Sequence, residues 1–76
     1  MTTITLHRVA PDQHMWRFYR LETAKDLFGI WCLTREWGRI GRPGQRAMAS
    51  FPSAEVAERA LERQLRSKER RGYRAA

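Results

Sequence analysis

The sequence predicts an α+β fold: a four-stranded antiparallel sheet with one C-terminal helix packed on it, as a single domain over residues 1–76. Three observations lead there. Apolar residues alternate or run in short stretches up to Phe51, then recur at helical spacing. Short turn-forming segments separate the apolar stretches, which fits an antiparallel meander. A chain of 76 residues has room for one small core and buries only about 60% of its unfolded surface.

The first strand is read over residues 3 to 9, with Ile4 and Leu6 on one face and Thr5 and His7 on the other. Pro11-Asp12-Gln13-His14 forms a turn. Residues 15 to 23 form the second strand. Trp16 and Phe18 share one of its faces and Tyr19 and Leu21 the other, so each side should be at least partly covered. Gly29 supplies the next turn. The third strand covers about residues 30 to 40, beginning with the apolar run Ile30-Trp31-Cys32-Leu33. Pro43-Gly44 is expected as a tight turn, and the fourth strand runs from Gln45 to Phe51. Ser53 is a good N-cap for the helix that follows. Val56 or Ala57, then Ala60, Leu61 and Leu65, form its apolar stripe. Glu55 and Glu58 near the start and Lys68, Arg70 and Arg71 near the end suit the helix dipole. Gly72 is placed to end the helix.

Charge is the informative total. Lys and Arg number 15 against 8 Asp and Glu, a net +7. A basic domain of this size favours a polyanionic partner. Only Lys25 and Lys68 are lysines, and arginine forks onto phosphate and stacks on bases. Cys32 is the only cysteine, so an intrachain disulfide and a cysteine-rich zinc site are excluded. Residues 1–8 carry no apolar segment of a secretory signal. No stretch approaches the roughly 20 apolar residues of a membrane span. The expected location is the cytoplasm, nucleoid association included, with no membrane partner.

The chain is organised around Glu36-Trp37-Gly38-Arg39-Ile40-Gly41 and the following Arg42-Pro43-Gly44-Gln45. Trp37 and Arg39 are two apart on a strand and are expected to project side by side. A flat ring beside a planar cation can grip a sugar, a base or a phosphate. Gly38 allows close approach of a backbone or a ligand. Arg35, Arg42 and Arg46 bracket the motif as a phosphate-binding patch, and Gln45 is a turn residue with hydrogen-bonding capacity. Lys68, Arg70, Arg71 and Tyr73 form a second patch at the helix end.

Trp37-Gly38-Arg39-Ile40-Gly41 followed by Gly44-Gln45 resembles the signature of the WGR domain. The resemblance continues at Phe51 and at Lys68-Glu69-Arg70-Arg71-Gly72-Tyr73, and so spans roughly residues 14 to 74. The family occurs as a module in DNA-dependent poly(ADP-ribose) polymerases, where it engages DNA at breaks, and as small free-standing bacterial proteins. The resemblance implies that Trp37 is exposed and that Trp37 and Arg39 lie at the DNA end. The sequence departs from the family at Met15, where a basic residue often stands.

The functional expectation is a nucleic-acid-binding module, with double-stranded DNA ends or nicks favoured. Two alternatives stand beside it: a protein-interaction module using the same Trp37–Arg39 surface, and a single-stranded DNA or RNA binder. His7 and His14 complete no metal or catalytic constellation, and no nucleophile triad or Walker sequence is present. No catalytic residues, metal or cofactor are expected.

Overall fold

The computed structural model describes residues 1–76. Strand β1 spans Thr2–Ala10, β2 Met15–Lys25, β3 Trp31–Arg39 and β4 Gln45–Phe51. Helix α1 spans Ala54–Arg70, and a short β5 covers Arg74–Ala75. The sheet order is β4-β3-β2-β1-β5, with every neighbour antiparallel. The fold class is as read from the sequence, but the sheet has five strands rather than four. The fifth is two residues long, too short to show a period-2 pattern.

The helix end explains that extra strand. The Gly72 N–H donates to the Glu69 carbonyl at 3.1 Å and the Tyr73 N–H to the Lys68 carbonyl at 3.1 Å. These two hydrogen bonds close a Schellman cap, and Gly72 sits at φ +95, where glycine is favoured. The cap reverses the chain and drives Tyr73 inward. Arg74 and Ala75 then fall beside His7 and Leu6. At the other end of α1, the Ser53 hydroxyl accepts from the Val56 N–H at 3.3 Å, as an N-cap should.

Directly opposed residues of antiparallel strands share a face. Register therefore sorts the sheet. The pairs Leu6↔Tyr19, Tyr19↔Trp37, Leu21↔Arg35 and Thr23↔Leu33 lie on the helix face. Leu6, Tyr19, Leu21, Leu33, Ala60, Leu61 and Tyr73 form the core, with Ile4, Trp37, Phe51 and Leu65 packed at its edge. The opposite face has no helix over it. Trp16 and Phe18 lie there half-buried, while Val9 and Met48 are exposed.

One polar group is fully buried under α1. The Thr23 hydroxyl donates to the Glu58 carboxylate at 2.7 Å and accepts from the Thr2 N–H at 3.0 Å. The Thr2 hydroxyl also donates to Glu58, at 2.8 Å. The Thr23 and Thr2 hydrogen bonds hold the Glu58 carboxyl below the usual carboxylate range. This group stabilises the fold fully above the ordinary glutamate value of about 4.3. The contribution is lost as pH falls through the lowered folded value.

Leu61 is 2% exposed, so Leu61→Ala should cost about 2–4 kcal/mol in urea unfolding. The more peripheral Leu65→Ala should cost less. Thr23→Val keeps the shape and removes the hydroxyl, which should cost about 1–3 kcal/mol at neutral pH. The stability of Thr23→Val should also fall less steeply than that of the parent as pH is lowered below 4, read by thermal melting across acidic pH.

Candidate nucleic-acid interface

Register brings the start of β2 to the end of β3. Arg17 pairs with Arg39 and Phe18 with Gly38, and the Ile40 N–H donates to the Trp16 carbonyl at 2.8 Å. A cleft of about 280 Å³ opens at this end of the sheet, lined by His14, Trp16, Arg17, Trp37, Gly38, Arg39 and Tyr73. A shallower groove, lined by Tyr19, Arg35, Trp37 and Lys68, adjoins it across the Trp37 ring.

Cations and rings alternate here. Arg39 lies over Trp16, 5.7 Å from the ring centre. Arg35 lies 5.6 Å from the Trp37 ring. Trp37 stacks on Tyr19 at 6.1 Å and 20°, and Lys68 Nζ sits 4.5 Å from the Tyr19 ring. Burial first, then the charges of Arg71 and Arg35, push the Lys68 ammonium below its ordinary pKa. A neighbouring anion would reverse that pressure. The ion pairs of the molecule are Arg20–Glu22 at 3.8 Å and Arg66–Glu62 at 4.0 Å. None of the basic residues around the cleft has a carboxylate partner.

Several expectations need correction. Trp37 is half-buried, not freely exposed, because register sets it over Tyr19 at the edge of the core. Trp37 and Arg39 line one cleft, and the Arg39 guanidinium also lies over Trp16, a contact the sequence does not indicate. Tyr73 is not a free member of the helix-end patch. It is 8% exposed and packs edge-on against Tyr19 at 6.1 Å. Arg46 does not join Arg35. It pairs with Glu36 on the open face, in a polar hollow with Arg20, Glu22 and Thr34. Gln45 is opposite Trp37 and exposed. Arg42, Arg70 and Arg71 are exposed too.

The tight turn also moves. The Arg42 N–H donates to the Arg39 carbonyl at 3.1 Å, with Gly41 at φ +86, as in a type II turn. Pro43-Gly44 lies beyond it. Gly44 is required for another reason: a Cβ there would run into the Trp37 carbonyl, and one on Gly38 would sit 2.9 Å from the Gly44 Cα. The two glycines let the loop fold back over β3, against the Phe18 ring.

His14 and Trp16 are not singled out as site residues by the sequence, and Arg17 only as a replacement for the basic residue absent at Met15. Their signal is long-range, since only the β2–β3 register sets them beside Arg39. His14 adopts the left-handed conformation at φ 54 and tilts its ring against Trp16 at 6.5 Å. No cluster of three or more His, Cys, Asp or Glu side chains that could hold a metal ion is present. No helix is long and apolar enough to cross a membrane.

A family model described as the WGR domain matches residues 2–76, so the likeness reaches further toward the N-terminus than the motifs alone indicate. An uncharacterized protein, y4dW, of Sinorhizobium fredii is 42% identical over 69 residues, which is 91% of this chain and 34% of that protein. The chain thus spans about a third of the length of that relative. No solved structure matches significantly.

The glycine contact generates a further prediction. Gly44→Ala should destabilise the fold by about 1–3 kcal/mol, because the obstacle is backbone and cannot swing aside. Gly41→Ala meets no neighbour within 4 Å and should act only through its positive φ. Urea unfolding of both variants checks this order.

Proposed function

We propose, from the premise that the chain belongs to the WGR domain family, a family of nucleic-acid-binding modules, that it binds double-stranded DNA at ends or nicks through this cleft. The observation that carries the reading is the ring of unpaired cations, Arg17, Arg35, Arg39 and Lys68, around the aromatic walls of Trp16 and Trp37. Uncompensated charge of one sign attracts phosphate, and half-buried aromatic walls can pack against a sugar or base. The cleft is smaller than a typical small-molecule site, so it suits a terminal sugar–phosphate rather than a whole free ligand. Arg42, Arg70 and Arg71, all exposed, would extend the positive surface, and Gln45 would donate to a backbone oxygen. Contacts of this kind recognise backbone and terminus, not base sequence.

A second reading, a protein-interaction module, is favoured by one feature. The same Trp37 groove is walled by aromatic rings, which also suit an apolar or acidic protein surface. It differs from the first in its response to salt.

The test compares blunt duplex, nicked duplex, closed circle and single strand at several salt concentrations. For 4 or 5 contacted phosphates, log K should fall against log salt with a slope of about −4. Blunt and nicked duplex should bind more tightly than closed circle. Arg39→Ala should weaken end binding by about 1.5–3 kcal/mol, with Arg59→Ala as an unaffected control on the helix. A flat salt dependence with every nucleic acid would turn the reading toward the protein partner.

A further inference from the structure

The two edges of the sheet are unlike. On one side β5, two residues long and carrying Arg74, sits against Leu6 and His7 and divides the outer edge of β1 into two short segments. Short, charged edges resist pairing with other chains. On the other side the edge strand is β4, Gln45–Phe51, seven residues long and paired with β3 along its whole length. It contains no proline and no bulge, and its outer row of backbone donors and acceptors has no partner within the sheet. None of the usual edge protections except one charge, Arg46, is present.

We propose that β4 pairs with β4 of a second copy of this chain, antiparallel about a two-fold axis at Met48, joining two sheets into one of ten strands. The side-chain pattern selects that occupant. Only the register centred on Met48 pairs all seven residues, opposing Gln45 to Phe51, Arg46 to Ser50 and Ala47 to Ala49. No like charges face each other. A register centred on Arg46 would set two guanidinium groups directly opposite, which is unfavourable. Within each copy Arg46 already stands opposite Glu36, so the joined edge is close to neutral although each chain carries +7.

Packing favours the same arrangement. Met48 is 61% exposed on the face without a helix. In the pair it would lie against the partner's Met48, removing two flexible apolar side chains from water. On the helix face, Ala47 and Ala49 are small and Ala49 is exposed, so α1 does not overhang the edge. The clefts would then lie toward opposite ends of the joined sheet, because each sits at the Gln45 end of its own β4. Both would remain open, so the pairing does not depend on what the cleft binds.

The test uses the full chain without nucleic acid. Light scattering across a dilution series should give twice the chain mass, falling to one at low concentration. Met48→Lys places two ammonium groups at the axis while leaving the core untouched, and should shift the series to monomer, with a melting curve that matches the parent's at concentrations where the parent is also monomeric. In a Cys32→Ser background, Met48→Cys should form an interchain disulfide on mild oxidation, since opposed Cα atoms lie about 4.5–5.5 Å apart. Ser50→Cys should not, because its two copies would be about 13 Å apart along the strands. A single-chain mass at every concentration would overturn the proposal. So would a dimer insensitive to Met48→Lys, or cross-linking at Ser50→Cys equal to that at Met48→Cys.

Discussion

Tyr19 is in contact at once with the core and with the candidate site, and both depend on that placement. Its ring is 3% exposed, stacks on Trp37, meets the edge of Tyr73 and lies beneath the Lys68 ammonium. Its hydroxyl reaches the Gln64 side chain on α1 at 3.4 Å. Aromatic pairs in these geometries contribute beyond their buried area. The helix end, the C-terminal reversal and the Trp37 wall of the cleft are therefore oriented by one ring. Because protein interiors are close-packed, a small shift of Tyr19 would be felt in all three.

Much of this fold was legible from the chain. The period-2 stretches, the Ser53 cap, the apolar stripe and Gly72 are local signals, and each was read in the right place. What was not legible depends on register. Arg39 reaches Trp16 because β2 and β3 pair as they do, a relation between residues far apart in sequence. Arg46 shares its strand with Gln45 yet faces away from it, so its neighbours are Glu36 and Arg20 rather than Arg35. β5 exists because a helix cap reverses the chain, and two residues carry no period. Gly38 is read from the sequence as a point of close approach, but its partner, the Gly44 backbone, could only come from the folded loop.

The sheet is covered on one face only, and this gives the molecule its polarity. With one helix, a chain of this size can bury one side of three long strands and little more. The open face offsets that exposure by alternating charges, as in the Arg20–Glu22 pair, and by folding the Gly44 loop over Phe18. The far hairpin is closed by its own side chain. Asp26 Oδ1 accepts from the N–H groups of Phe28 at 2.8 Å and Ile30 at 3.0 Å, while Leu27 and Phe28 stand in water. Arg17, Arg39 and the aromatic walls of the cleft lie at the opposite end of β2.

The cleft draws Trp16 from near the beginning of the chain and Tyr73 from near its end. A nascent chain emerges beginning first. While the C-terminal turn is still within the ribosomal exit tunnel, β1 to β4 can pair, but the Tyr19 ring has no Tyr73 beside it and Lys68 has no cap to hold it. The Tyr73 wall of the cleft is thus added only once the Gly72 reversal has formed.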